Sequence, residues 1–255
     1  MSKLSIYPDI EGKTVLITGG GSGIGASIVE HFAEQGARVG FIDLDEKSSV
    51  ALVDQMAAKG FPRPHFVKAD LRDIDALKAA VAEIKRQFGP INILVNNAAH
   101  DQRHAIDEVT PEYWDDRQAV NLRHQFFAAQ AVYKDMEAAG GGSIINMGSV
   151  SWMLKQGGMP GYTTAKSAVE GLTKTLARDF GPMKIRVNTV MPGWIMTQRQ
   201  IDLWLTEEAD AERAKGQCIP DKIYPAEVAR MVLFLASDAA SGCTAQRFVV
   251  DGGWI

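Results

Sequence analysis

The chain has 255 residues, 46% hydrophobic and 23% charged, a composition that excludes a disordered, collagen-like or disulfide-dense protein. A formal charge of −4 with no basic run argues against nucleic acid as the main partner, since neutralising phosphates needs clustered Lys and Arg. Two cysteines without a C-x-x-C pair suit a reducing compartment, the start M-S-K-L-S-I-Y-P-D-I has no apolar core for a secretion signal, and the most apolar run, Val228–Ala236, is short and carries Arg230, so a cytoplasmic protein without membrane contact is expected.

Short apolar runs alternate with longer helical segments along the whole chain. Lys13–Thr18 reads as a buried strand and Gly23–Gln35 as a helix, then Ala37–Asp43 as a strand and Glu46–Lys59 as a helix. Pro64–Lys68 is a weaker third strand, and Asp73–Phe88 is a helix with Ile74, Leu77, Val81 and Ile84 on one face. Ile91–Asn96 is a fourth strand, followed by one long helix over Pro111–Glu137. Ser143–Met147, a helix over Gly161–Phe180, the strand Ile185–Met191, a helix over Pro225–Ser237 and a short strand Phe248–Val250 complete the series. Strands apolar on both faces and alternating with helices predict an α/β fold: a doubly wound (Rossmann) parallel sheet of about seven strands with helices on both faces. No linker, repeat or low-complexity run interrupts it, so residues 1–255 are expected to form a single domain, with ligands beyond the carboxyl ends of the strands.

Directly after the first strand comes T-G-G-G-S-G-I-G, Thr18–Gly25. Gly19, Ser22, Gly23, Ile24 and Gly25 thus open a helix, where glycines let the backbone approach a pyrophosphate and free N–H groups point outward. Asp43 ends the second strand, about 20 residues on, where a carboxylate accepts hydrogen bonds from both ribose hydroxyls of an adenosine. It would also repel a 2′-phosphate, by roughly 4 kcal/mol per charge pair at about 4 Å and an effective dielectric of about 20 before relaxation. Ser22 and Leu44 stand where a phosphate-bearing cofactor would want Arg or Lys, so the expected cofactor is NAD.

Tyr162 and Lys166 in P-G-Y-T-T-A-K fall on one face of a helix. By itself that spacing usually marks a solvated face. For Tyr162 to act as a base near neutral pH, its phenol would need a shift of about 3 units, worth roughly 4 kcal/mol, which a neighbouring ammonium and an oxidised nicotinamide could supply.

The glycine loop, Asp43 and the Tyr162/Lys166 pair together resemble the short-chain dehydrogenase/reductase family over nearly the whole chain. The resemblance implies further residues. Asp70 and Leu71 match the adenine-contacting pair, and Asn97 lies in N-N-A-A, where Ala99 replaces the usual Gly and slightly raises the expected cost of that turn. Asn121 in V-N-L matches the helix-borne catalytic Asn, implied to hold a water that carries the proton out through Lys166. Ser149, with Ser151 as a nearby competitor, matches the serine that steadies the substrate oxygen, and Ile195 and Thr197 in P-G-W-I-M-T match the holders of the nicotinamide carboxamide. Tyr162 then takes the hydroxyl proton as hydride leaves the same carbon, and Lys166 lowers the Tyr162 pKa and binds the nicotinamide ribose. The five histidines show no metal-ligand spacing, so no metal is expected. The family's usual tetramer, built on the helices beginning near Pro111 and Gly161, is implied by the same resemblance, with Trp254 a candidate for that interface.

Substrate residues are expected after the fourth, fifth and sixth strands: His100 and Arg103; Ser149, Ser151 and Trp152; Trp194 and Arg199, with Tyr162 at the centre. Aromatic faces among charged and amide groups suit a sugar. N-A-A-H-D-Q-R-H, V-N-L-R-H, S-V-S-W, V-L-F-L-A-S-D-A-A-S and D-G-G-W resemble bacterial aldose 1-dehydrogenases of the xylose, arabinose, galactose and fucose type. The implied reaction is oxidation of the anomeric hydroxyl to a lactone with NAD as acceptor. An acidic sugar such as a sulfonated hexose stays open because Arg103, Lys155 and Arg199 could form a cationic pocket. So does another secondary alcohol (a steroid, a polyol or a 3-hydroxyacyl thioester). A non-catalytic NAD-binding module is the reading from a different class, disfavoured because a sensor has no need of Ser149, Tyr162, Lys166 and Asn121 together.

Overall fold

The computed structural model describes residues 5–255. Seven strands form one parallel sheet: β1 (Thr14–Thr18), β2 (Arg38–Asp43), β3 (His65–Lys68), β4 (Ile93–Asn96), β5 (Gly142–Met147), β6 (Ile185–Pro192) and β7 (Arg247–Val250), in the order β3-β2-β1-β4-β5-β6-β7. Alternate residues of each central strand enter opposite cores. Val15 and Ile17 face one, Leu16 the other; Ile93 and Val95 likewise oppose Leu94. Burial on both faces is why these strands read as unbroken apolar runs instead of polar–apolar alternation.

Helices α1 (Gly23–Glu34), α2 (Glu46–Ala58) and, far along the chain, α9 (Pro225–Ala236) cover the first face, with Phe32, Leu52 and Val232 in its core. Helices α3 (Ile74–Phe88), α5 (His124–Ala138) and α6 (Pro160–Phe180) cover the second, through Leu77, Val132 and Leu176. The first connections wind toward one sheet edge and those after β4 toward the other, so the winding reverses between β1 and β4. A crevice therefore opens beyond the carboxyl ends of those two strands.

Two segments depart from the sequence expectation. The long helix over Pro111–Glu137 is interrupted: α4 (Pro111–Gln118) passes through a wide π turn at Ala119–Arg123 before α5 begins. Side-chain periodicity does not reveal one extra residue in a turn. Two further helices, α7 (Gln198–Trp204) and α8 (Glu207–Gly216), rise between β6 and α9. Thr197 and Thr206 cap them, accepting hydrogen bonds from the Gln200 and Ala209 amides. Neither offers a long apolar stripe, so hydrophobic patterning passes over them.

A buried polar ladder joins the strand ends to α6. Asn96 Nδ2 donates to Asn146 Oδ1 at 2.9 Å, Asn146 Nδ2 to Thr173 Oγ1 at 3.0 Å, and Thr173 and Thr189 hydroxyls meet at 2.8 Å. Asn146→Ala should take one buried hydrogen bond from each neighbour, Asn96 keeping the Gln125 carbonyl and Thr173 the Thr189 hydroxyl, and cost about 2 kcal/mol, measured as a lower urea midpoint at unchanged m-value.

Candidate active site

The crevice is a cavity of about 400 Å³, reaching from Ile24 and Asn97 at one end to Trp194, Trp204 and Trp254 at the other. Its floor comes from β5, the start of α6 and the loop after β4.

At the glycine end, tight backbone packing sets the shape. Gly19 adopts a left-handed φ of +67° and its amide donates to the Ile42 carbonyl at 2.7 Å. A Cβ on Gly25 would run into the Gly19 carbonyl oxygen and the Asn97 side chain. Asn97 Nδ2 in turn donates to the Thr18 and Gly19 carbonyls at 3.1 and 2.8 Å, locking the loop. Ser22 stands at the N-cap of α1 without making a side-chain cap, and the first turn carries no acidic residue, leaving that end open to an anion. Gly23 lies against the Thr197 side chain. Asp43 Oδ2 accepts the Gly21 amide at 2.8 Å and Oδ1 the Asp45 amide at 2.9 Å, so the carboxylate is fixed beside the loop. These cradles fit a dinucleotide that only a bare backbone could approach so closely. Asp70, after β3, is held by the Arg72 guanidinium, and the Leu71 side chain is buried in the second core. Ala99 keeps an ordinary negative φ, so the extra cost expected for that turn is absent. Ile195 pairs with Ile223 across an isolated bridge beside the cavity.

Tyr162 and Lys166 project from the first turns of α6 into the cavity. Lys166 is 2% exposed. Its Nζ donates to the Met147 carbonyl at 2.7 Å and sits 5.7 Å from the Tyr162 ring centre. Burial penalises both charged forms. It pushes Lys166 down to about 7 and Tyr162 up to about 12. Ser149 beside the phenol lowers its pKa, while the Asp101 carboxylate raises the pKa of both groups. Of the two candidate serines, Ser149 is the one that acts on the phenol's pKa. Ser151, buried, accepts from the Ser149 hydroxyl at 3.0 Å. Within the protein alone burial outweighs Ser149, so the phenol is held neutral.

Asn121 lies in the π turn, and its side chain is fully engaged. Oδ1 accepts the His100 amide at 2.8 Å; Nδ2 donates to the His100 and Arg117 carbonyls at 3.2 and 3.0 Å. The side chain ties the β4 loop to the helix, and the Asn121 carbonyl accepts from Gln125 Nε2 at 3.2 Å.

Of the expected substrate residues, Arg103, Ser149, Ser151, Tyr162 and Trp194 line the cavity; His100, Trp152 and Arg199 do not. His100 turns toward α4, where its Nδ1 accepts from the Arg117 guanidinium at 2.7 Å. Burial and that adjacent cation lower its pKa. Trp152 borders a separate depression against the outer side of α6, together with Lys155. Arg199 is half exposed and paired with Asp101 at 3.3 Å. The three-residue cationic pocket is thus not assembled; of its members only Arg103, stacked 3.9 Å over the Trp204 ring, faces the cleft.

Residues 19–255 match the protein family described as Enoyl-(Acyl carrier protein) reductase. A short-chain type dehydrogenase/reductase from Mycobacterium ulcerans superimposes with a TM-score of 0.91 at 27% identity, covering 98% of this chain and 91% of that one. The chain belongs to the short-chain dehydrogenase/reductase family. Among curated members, the "Probable galactose dehydrogenase GalD" of Rhizobium meliloti is 48% identical over 249 residues, covering 98% of this chain and 97% of that one. The D-xylose 1-dehydrogenase of Caulobacter vibrioides is 47% identical over 250 residues, covering 98% of each. Gluconate 5-dehydrogenase from Burkholderia cenocepacia J2315, solved with NADP and tartrate, superimposes with a TM-score of 0.88 at 31% identity over 97% of each chain.

Several residues of this short-chain dehydrogenase/reductase site escape sequence reasoning. Asp101 accepts from Gln200 Nε2 at 2.8 Å, and Gln200 Oε1 accepts from Trp194 Nε1 at 3.0 Å, bridging the loops after β4 and β6. His124, fully buried, donates from Nε2 to the Ala98 carbonyl at 3.1 Å and is pushed down to about 4 by burial, aided by Lys166. It props the loop that carries Asn97. Its place in V-N-L-R-H was visible, but a histidine in a helix carries no mark of that contact. Asp101→Asn keeps an oxygen for Gln200 and removes the negative charge. Its effect should be to lower the Tyr162 pKa, moving the alkaline rise in turnover to lower pH by up to about 1 unit, read from pH–rate profiles.

Proposed function

We propose that this protein is an NAD-dependent aldose 1-dehydrogenase, oxidising the anomeric C1–OH of a pyranose of the galactose, xylose, arabinose or fucose type to an aldonolactone. The observation that carries the reading is the Ser149–Tyr162–Lys166 group, its lysine buried and the other two half-buried, at the floor of a cleft walled by tryptophans and polar side chains. The galactose and D-xylose dehydrogenase names of full-length relatives support the sugar. Asp43, fixed beside the glycine loop with Leu44 next to it, supports NAD over its 2′-phosphorylated form. A neutral sugar fits better than an acidic one because Arg199 is neutralised by Asp101 and Lys155 lies outside the cleft. We also take the chain to be a cytoplasmic homotetramer, a reading consistent with two free cysteines and with Phe126 exposed on α5.

Gly19–Gly25, Asp43, Asn97, Ile195 and Thr197 would hold the cofactor, with Asp70 and Leu71 near its adenine. When bound, oxidised nicotinamide supplies the hydride acceptor and the positive charge that Tyr162 needs. Ser149 holds the substrate oxygen against Tyr162. Once its pKa is shifted downward, Tyr162 would act as phenolate, taking the C1 hydroxyl proton to become the phenol as the C1 hydrogen leaves as hydride. Ser149 then steadies the carbonyl oxygen of the lactone. Lys166, held at Met147, passes the proton outward, and its partial neutrality at about 7 makes proton exchange easy.

Tyr162→Phe should lose nearly all turnover while binding NAD with unchanged affinity, measured by steady-state assay and calorimetric titration; retained turnover excludes Tyr162 as the base. A panel of neutral sugars, acidic sugars and secondary alcohols tests the substrate class, and activity confined to the alcohols overturns the aldose reading. Asp43→Ala combined with Leu44→Arg should shift the kcat/KM ratio toward NADP by about tenfold or more, since repulsion is exchanged for attraction.

A further inference from the structure

Trp254 lies four residues beyond the end of β7, yet it forms part of the wall of the cleft. The geometry of the tail explains how. The buried Asp251 carboxylate accepts the Gly253 amide at 2.8 Å and the Ile255 amide at 3.0 Å, closing a tight loop. The Gly253 and Gly252 carbonyls accept the Cys218 and Ile219 amides at 3.2 and 2.9 Å. Gln217 Nε2 donates to the Asp251 carbonyl at 2.8 Å. The tail is thus stitched to the segment leaving α8, and none of these bonds touches the glycine loop.

The stitching lays the Trp254 indole across the last residue of α8. A Cβ on Gly216 would stand 2.5 Å from the indole Nε1 and 3.0 Å from Cδ1 and Cε2. The indole therefore occupies space that any side chain at that position would claim. Trp204, backed by Arg103, and Trp194, tied to Gln200, line the same end of the cavity. Indole faces pack against the C–H face of a pyranose, while its hydroxyls need the amides and charged groups around the rim.

We infer that Trp254 is a specificity-determining residue that supplies, from within the same chain, an apolar face for the ring carbons of the aldose. The inference rests on the aldose activity proposed above. It replaces the expectation that this side chain serves contact between copies.

The test uses the full-length protein with NAD and D-xylose or D-galactose. Trp254→Ala should raise the sugar KM about tenfold, the loss of one stacked aromatic contact. Its NAD affinity and sedimentation behaviour should match the wild type. Trp254→Phe, which keeps an aromatic face, should restore most of the sugar affinity. Gly216→Ala, tolerated by the helical backbone, leaves Trp254 in the sequence but denies it its seat, and should raise the sugar KM in the same direction. Titration of the enzyme–NADH complex with the same sugar should show the same weakening without turnover. A sugar KM unchanged in Trp254→Ala, or an altered oligomeric state in that variant, overturns the inference. Wild-type protein inert toward both sugars overturns the aldose reading, and this wall with it.

Discussion

Burial of the Tyr162–Lys166 pair is the constraint on which the site depends. An ammonium and a phenol taken out of water both prefer to be neutral, and the protein holds Lys166 against a carbonyl, the Asp101 carboxylate acting on it through charge without a hydrogen bond. The pair is therefore poised rather than pre-ionised. A cationic ring entering the cleft changes the balance at Tyr162 most, because the surroundings screen little.

The rest of the molecule fixes that pair in place. Parallel strands bring every βα loop to one edge, so residues as distant as Thr18, Asn97, Ser149 and Thr197 meet. The Asn96–Asn146–Thr173 ladder pins the strand ends to α6. His124 and Asn121 hold the loop after β4 from the helical side. Asp101 and Gln200 hold it from the side of α7.

The fold was readable because strands buried on both faces alternate with helices, and because glycines and Asp43 occur where backbone geometry demands them. Ser149, Tyr162 and Lys166 were singled out by the family resemblance, their spacing alone marking no more than a shared helix face for the last two. Which way a loop side chain points was not readable. His100 and Asp101 are adjacent, yet one turns to Arg117 and the other into the cleft. Trp152 and Trp194 look equivalent in the sequence, but the first borders a separate depression while the second lines the cleft. Such choices are made by long-range partners, and local composition does not encode them.

The π turn at Ala119–Arg123 has a geometric corollary. One additional residue in a turn rotates all that follows by about 100° about the axis. Helix α5 can then lay Ala128, Val132 and Met136 on the sheet, while Asn121, a turn earlier, reaches sideways to the loop after β4. A straight helix through the same residues could not satisfy both surfaces at once. Deleting a single residue here would restore regular winding and misalign one of them, so this stretch should tolerate substitution far better than any change in length.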